Sequence, residues 1–112
     1  LNLHGTGTQE GDVFETIQIK QAFGKEAYRI ATSSTKSTMG HMLGASGAVE
    51  VIACSLAIEE GLIPPTVGLE KEDSRCDLDY TPRKAKEKKV STAVSISMGF
   101  GGHIAVIALR KV

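Results

Sequence analysis

Eleven residues, 48 to 58, decide the fold class of this chain, and they read AVEVIACSLAI. Nine of the eleven are apolar, which is more than one face of a surface helix needs. A helix that is apolar nearly all round belongs in the interior of a protein. We therefore predict a buried helix over 48–58, ended by Gly61 and the Pro64-Pro65 pair.

Upstream of this helix the sequence predicts two short strands and a further helix. Residues 1–4 alternate apolar and polar side chains, and residues 29–33 carry a second short strand signal. Between them, acidic residues at 10–15 suit the beginning of a helix that stops at Gly24. These elements already alternate strand and helix.

Downstream, residues 71–89 carry 12 charged side chains in 19 positions, which predicts an exposed connection. Residues 92–97 and 104–109 are apolar or alternating runs on either side of a glycine-rich turn at 99–102, which predicts a strand pair. The complete order, β-α-β-α-β-β, indicates an α/β layer without an internal repeat.

Composition limits the classes of function. The 112 residues are fewer than one typical domain holds, and 41% hydrophobic with 23% charged residues is ordinary for a globular protein. Thirteen basic and thirteen acidic side chains cancel, which removes the electrostatic case for a general nucleic-acid binder. No apolar run approaches the roughly 18–20 residues that span a bilayer. Because the chain opens at Leu1 inside a strand signal, we expect a piece of a longer protein that exposes apolar patches.

The cysteines and histidines do not predict a metal or redox centre. Cys54 lies among apolar residues and should be an inert buried thiol, whereas neighbouring aspartates oppose a thiolate at Cys76. The three histidines stand at positions 4, 41 and 103, without the spacing of metal ligands.

His4 lies where the first strand passes into the loop GTGT at 5–8, a usual position for functional side chains. Taken alone, a histidine in a loop is more often structural or exposed to solvent. The loop does not complete a nucleotide-binding pattern, because Glu10 replaces the third glycine of GxGxxG.

Lys36 and His41 stand just before the apolar helix, so both should lie near the interior. Alternatively, Lys36 reaches solvent and His41 caps the helix. Glu50 decides between these, because an unpaired carboxylate inside an apolar helix costs several kcal/mol and Lys36 is the obvious partner. Unless Glu50 faces a solvent gap, a buried Lys36–Glu50 pair beside two histidines predicts a functional site.

The turn at 99–102 reads GFGG, so its backbone N–H groups are open to bind a developing oxyanion, with Phe100 as a movable lid. The alternative is an ordinary hairpin turn with Phe100 in the core. The basic run at 83–89 is most simply a solvated face, with docking of an acidic partner as the alternative.

Five strings of this sequence, taken together, closely resemble the carboxyl-terminal part of β-ketoacyl-[acyl-carrier-protein] synthases, the elongating condensing enzymes of fatty-acid synthesis. They occur in the family's order and span nearly the whole chain. The strings are HGTGT at 4–8, SSTKSTMGHMLGASG at 33–47, GLIPPT at 61–66, CDLDYTP at 76–82 and GFGG at 99–102.

The resemblance implies a thiolase-like α/β fold, in which two related halves pack as the layers αβαβα, usually in a homodimer. Residues 1–112 would be a partial carboxyl-terminal ketoacyl synthase domain. The amino-terminal half, with the nucleophilic cysteine, would be absent, so the piece alone is expected to be inactive.

By the same resemblance, His4 and His41 are catalytic and hold the thioester carbonyl of malonyl-carrier while decarboxylation releases an enolate. Lys36 corresponds to the family's buried catalytic lysine, and its supporting acid falls on Glu50. No metal or other cofactor is implied.

Thr6 and Thr8 match the threonines that hydrogen-bond the pantetheine arm of acyl carrier protein, the implied partner. Phe100 matches a gating aromatic residue whose N–H shares the oxyanion hole with the missing cysteine. No nucleic acid or membrane is implied, and the bacterial cytoplasm is favoured over a plastid or mitochondrion.

Three positions depart from the family's pattern. Ile104 follows His103 where asparagine is usual, and Ile96 and Met98 replace an asparagine and a phenylalanine. Because the set His4, Lys36 and His41 is nevertheless complete, the first hypothesis is a fragment of an elongating synthase that performs decarboxylative Claisen condensation. The alternative is a non-catalytic subunit, either similar to a chain-length factor or a remnant of a condensing enzyme.

Overall fold

The computed structural model describes all 112 residues and contains two long helices. α1 spans Gln9–Phe23, with Glu10 and Asp12 in its first turn, where acidic side chains favour a helix N-terminus. α2 is a single turn, Lys36–Met39, and α3 spans Ser46–Glu60. Short 3-10 helices occupy Gly24–Arg29, Leu43–Ala45 and Phe100–Gly102.

α3 ends where the sequence predicts, at Gly61, whose left-handed φ of 66° suits glycine. The prediction that this helix is buried is wrong for one of its sides. Cys54 and Ala57 are buried, but Ile52 is 59% exposed and Leu56 is 51% exposed. The reason is that α3 packs mainly on one strand, β3 (Thr92–Gly99), and these 112 residues place no element over its other face. The expected exposure of apolar patches is therefore present.

The predicted strand pair is confirmed. β3, Thr92–Gly99, pairs antiparallel with β4, His103–Arg110, in a register that runs from Thr92↔Arg110 to Gly99↔His103. The glycine-rich turn joins them, and its Gly101 and Gly102 adopt φ values of 79° and 82°. Side chains rarely tolerate such values, which explains the glycines.

The two short strands predicted near the amino terminus are single bridges rather than ladders. Asn2 forms parallel bridges with Ser33 on one side and with Ser95 of β3 on the other. The segment predicted at 29–33 is shortened because its first residue belongs to the 3-10 helix that ends at Arg29. The extended chain at residues 1–3 nevertheless lies between its neighbours in sheet order, with Leu3 N–H donating to the Ser33 carbonyl (2.8 Å).

The charged segment 71–89 is mostly exposed, as predicted, but it also contains one short strand that its charged composition did not predict. β2, Lys86–Glu87, pairs antiparallel with β1, Leu62–Ile63.

A small core beneath α1 is formed by the buried residues Leu3, Ile19, Ala27 and Leu78. None of the helices has both the length and the apolar character required to cross a membrane.

Candidate functional site

The two predicted histidines meet in space. His4 directly follows the bridged segment at residues 1–3, and His41 lies between α2 and the turn that precedes α3. Their ring centroids are 5.6 Å apart and their planes cross at 89°, so the edge of one ring faces the other. Both rings line a cleft of about 510 Å³, together with Lys36 and His103.

The main chain at His4 is held by a carboxylate that the sequence analysis did not single out. Glu15 of α1 is buried, and its two oxygens accept the N–H groups of His4 (2.8 Å) and Gly5 (2.9 Å). Burial raises the pKa of Glu15. A sequence signal existed, because Glu15 and the buried Ile19 stand four residues apart and therefore share one helix face.

Gly5 brings the same loop close to the neighbouring segment. The Ser34 hydroxyl donates to the Gly5 carbonyl at 2.7 Å. Gly5 has φ of 33°, and a Cβ built there would lie 2.6 Å from the Ser34 Cβ. Only glycine permits this approach, which carries the chain away from His4 toward Thr6.

The environment of His4 favours its neutral form. Burial, followed by the charges of Lys36 and then His41, lowers the pKa of His4 below its usual 6.5. Its Nδ1 is buried and has no hydrogen-bond partner. A charged imidazole would carry a proton on both ring nitrogens and would leave that buried donor unpaired. His4 is therefore arranged as a neutral imidazole.

The interior ion pair predicted from the sequence is present. Lys36 and Glu50 are both buried, and the Lys36 ammonium donates to Glu50 Oε1. The other oxygen, Oε2, accepts the hydroxyls of Ser97 (3.2 Å) and Ser95 (3.4 Å). Both carboxylate oxygens thus have partners, which a buried charge requires. The alternatives, with Lys36 in solvent or Glu50 at a solvent gap, are wrong.

Hydrogen bonding assigns the tautomer of His41. The backbone N–H of Leu43 donates to His41 Nδ1 at 3.1 Å, so Nδ1 is an acceptor. In the neutral ring the proton then resides on Nε2. His41 does not cap α3 through a backbone N–H of that helix: its Nδ1 accepts the N–H of Leu43, in the short 3-10 helix before α3, and lies 3.2 Å from the Ser46 hydroxyl.

The two predicted threonines line a second cleft, of about 530 Å³. The hydroxyls of Thr6 and Thr8 are 3.3 Å apart and exposed. Lys36 and His41 line this cleft as well as the first one. The ammonium and the imidazole therefore stand between the threonines and the histidine cleft.

Phe100 does not join these residues. Its side chain is fully exposed at the tip of the β3–β4 turn and lines neither cleft. The alternative that places it in the core is therefore wrong, while the adjacent Gly99 and His103 do line the histidine cleft.

Two of the three unusual residues, Met98 and Ile104, also line the histidine cleft. The third, Ile96, packs against the core beneath α1. The departures from the family's pattern are thus divided between the cleft and the core.

Neither cysteine lines the histidine cleft. Cys54 is buried, as predicted, and burial raises the pKa of its thiol, which disfavours the reactive thiolate. Cys76 is half-buried and lines the threonine cleft. No group of three or more His, Cys, Asp or Glu side chains is placed to hold a metal ion.

Comparison with known proteins identifies the family. Residues 1–70 match the profile of the β-ketoacyl synthase C-terminal domain. The chain is 51% identical, over 111 residues, to 3-oxoacyl-[acyl-carrier-protein] synthase 2 of Synechocystis sp., covering 99% of this chain and 27% of that relative. It therefore spans about a quarter of the length of such relatives.

Solved structures give the same result. The ishigamide ketosynthase/chain length factor superposes with a TM-score of 0.94 at 39% identity, over 99% of this chain and 27% of that one. A type II polyketide synthase acyl-carrier protein in complex with its ketosynthase, bound to the hexaketide, gives a TM-score of 0.95 at 38% identity with the same coverage. The fold is thus the α/β, thiolase-like fold of the ketosynthases, and the chain belongs to the β-ketoacyl synthase family as the carboxyl-terminal part of a type II member.

Proposed function

We propose that the full-length protein is a 3-oxoacyl-[acyl-carrier-protein] synthase of fatty-acid chain elongation, which joins an acyl-enzyme to malonyl-carrier by decarboxylative Claisen condensation. The observation that carries the proposal is the meeting of the His4 and His41 rings, with centroids 5.6 Å apart, beside the buried Lys36–Glu50 pair. Residues 1–112 are a partial carboxyl-terminal domain, about a quarter of the length of such relatives, and the nucleophilic cysteine is proposed to lie in the remainder.

The geometry suits decarboxylation of a malonyl thioester. When the bond between the α-carbon and the carboxylate breaks, carbon dioxide leaves and the electron pair passes into an enolate. The thioester oxygen then carries negative charge, which imidazole N–H groups of His4 and His41 stabilise. A preorganised donor of this kind contributes roughly 3 kcal/mol to lowering the barrier. The enolate carbon then attacks the acyl thioester, and the cysteine thiolate leaves.

Lys36 supports the pair electrostatically. Its charge contributes to the lowered pKa of His4, so His4 remains a neutral donor in the cleft. The Glu50 carboxylate holds the ammonium in place, because it is buried and hydrogen-bonded on both oxygens. Neither the decarboxylation nor the condensation requires a metal or redox cofactor, since imidazoles and a thiol perform this chemistry.

Acyl carrier protein is the proposed partner, in a homodimer of the full-length protein. Support comes from the similar ketosynthase that was solved in complex with an acyl-carrier protein. Thr6 and Thr8 are proposed to bind the pantetheine arm, because their cleft shares Lys36 and His41 with the histidine cleft. Phe100 is proposed as the gate, since its exposed ring stands next to the cleft-lining Gly99.

The test is release of carbon dioxide from malonyl-carrier by the full-length protein. His4→Ala and His41→Ala should each abolish it, because each removes a donor to the enolate oxygen. Gln21→Ala, at an exposed position on α1, should leave the rate unchanged. Decarboxylation that persists in both histidine variants would exclude the proposed roles.

A non-catalytic subunit, resembling a chain-length factor, is the second candidate. The likeness to a ketosynthase/chain length factor and the unusual residues Met98 and Ile104 in the cleft favour it. Mass spectrometry of the full-length protein after incubation with acyl-carrier separates the two candidates. A covalent acyl group on cysteine supports the synthase, whereas an unmodified protein without decarboxylase activity supports the subunit.

A further inference from the structure

Ser46, the first residue of α3, lies against the ring of His41. Its side chain is buried, at 4% exposure, although serine is usually a surface residue. The Ser46 hydroxyl oxygen accepts the N–H of Met42 at 2.8 Å and lies 3.2 Å from His41 Nδ1. Leu43 N–H reaches the same nitrogen at 3.1 Å.

The direction of the Ser46–His41 hydrogen bond follows from these partners. A backbone N–H can only donate, so the Leu43 contact requires a lone pair, and no proton, on His41 Nδ1. The Ser46 oxygen already accepts from Met42, and its own proton is free to rotate toward the ring. Ser46 therefore donates to Nδ1, and two donors share that one lone pair.

We propose that Ser46 is a positioning residue for the condensing reaction, whose hydroxyl holds His41 in the tautomer that presents Nε2–H to the thioester oxygen. The proposal rests on the proposed function, because it assumes that His41 acts as a donor. Ser46 itself acts through His41 and touches no reacting atom.

Without the Ser46 hydroxyl, only the backbone N–H of Leu43 would hold the His41 ring at Nδ1. Leu43 has a φ of 50°, a left-handed conformation that non-glycine residues adopt rarely and at a cost. Its N–H is thus presented to the imidazole from a strained turn. Ser46 ties the same turn to α3 by two hydrogen bonds, one to Met42 N–H and one to the ring. The hydroxyl therefore fixes both the ring and the loop that carries it.

The test compares Ser46→Ala with two further variants in the full-length protein. Ser46→Thr keeps the hydroxyl, and Ser74→Ala makes the same deletion at an exposed position of the charged segment 71–89. Ser46→Ala should lower kcat for malonyl-carrier decarboxylation about 3- to 10-fold at unchanged KM, the usual size for one lost hydrogen bond. Ser46→Thr should recover most of that loss, and Ser74→Ala should match the native protein.

The deciding readout is the tautomer of His41, observed by NMR of protein labelled with ¹⁵N in its histidine side chains. The native protein and Ser74→Ala should show an unprotonated Nδ1, and Ser46→Ala should show a second population protonated there. If Ser46→Ala lowers kcat but leaves the His41 tautomer unchanged, Ser46 is merely structural and the proposal is overturned. The proposal is also overturned if neither kcat nor the tautomer changes. This readout needs no catalysis, whereas decarboxylation that persists in both His4→Ala and His41→Ala would refute the proposed function by itself.

Discussion

At the scale of single residues, the clearest prediction about stability concerns the buried Lys36–Glu50 pair. Glu50→Ala leaves a buried ammonium without its partner, which typically costs about 3–5 kcal/mol. Replacing both members together, Lys36→Met with Glu50→Leu, should restore most of that loss because no charge is left in the interior. The measurement is chemical unfolding of the full-length protein.

The control for this pair is the exposed one, Arg29–Glu26, whose side chains are 78% and 66% exposed. Glu26→Ala should cost less than about 1 kcal/mol, since solvent screens such pairs. Equal costs for Glu50→Ala and Glu26→Ala would mean that the interior pair is not buried in the full-length protein.

His4 gives a residue-scale prediction on pH. Burial lowers its pKa in the folded state below the 6.5 of an unperturbed histidine, so the unfolded chain binds more protons in this range. Stability then rises with pH: His4's contribution is present above about 6.5 and is lost as pH falls from there through the folded pKa.

The measurement is the free energy of unfolding against pH for the native protein and for His4→Asn. The variant should lose less stability on acidification, because asparagine does not titrate. Glu15, whose pKa burial raises, contributes to both proteins and cancels in the difference. Burial also raises the pKa of Asp12, but the charge of His4 opposes this, so the difference includes the coupling of Asp12 to His4. Identical pH dependence in the two proteins would contradict the burial of His4.

At the scale of elements, the loop between the first extended segment and α1 depends on one close approach. Gly5→Ala places a Cβ 2.6 Å from the Ser34 Cβ, so the loop that carries His4 must move. Gly7→Ala is the matched control, because φ there is 76° but no atom lies within 4 Å of the new Cβ.

Gly7→Ala should cost only the strain of a left-handed residue, roughly 1–2 kcal/mol. Gly5→Ala should cost more and should also lower the rate of malonyl decarboxylation. Unfolding curves and carbon dioxide release report the two effects. Similar costs with unchanged activity would show that the contact with Ser34 does not position His4.

At the scale of the whole molecule, the outer face of α3 is apolar and uncovered, with Ile52 59% and Leu56 51% exposed. We expect the rest of the full-length protein to cover it, since monomers seldom expose such contiguous surface. Ile52→Asp should therefore destabilise the full-length protein by several kcal/mol, because it buries an unpaired charge. Gln21→Asp on α1 should stay within about 0.5 kcal/mol. Thermal and chemical unfolding measure both, and a small effect at Ile52 would mean that the face stays exposed.

The two long helices and the strand pair could be predicted because their signals are local. Apolar spacing and a terminal glycine defined α3, and two alternating runs around a glycine-rich turn defined β3 and β4. The strands β1 and β2 could not be predicted, because each has two residues and β2 consists of a lysine and a glutamate. The paired residues are about 24 positions apart in the chain, and their residue types do not indicate which partner each one has.

The sequence by itself determined the family, through five strings in order, and identified His4, His41, Lys36 and Glu50 as the residues to examine. Only the tertiary structure decided that the rings meet, that Phe100 stands outside both clefts, and that Glu15 and Ser46 support the histidines. The physical reason differs for the two residues. Glu15 accepts backbone N–H groups, which every residue but proline carries, so residue type does not indicate the contact. Ser46 reaches His41 only because the strained turn at Leu43 brings the ring back to the start of α3. Side-chain identity encodes which chemistry is possible, whereas packing decides which groups come within bonding distance.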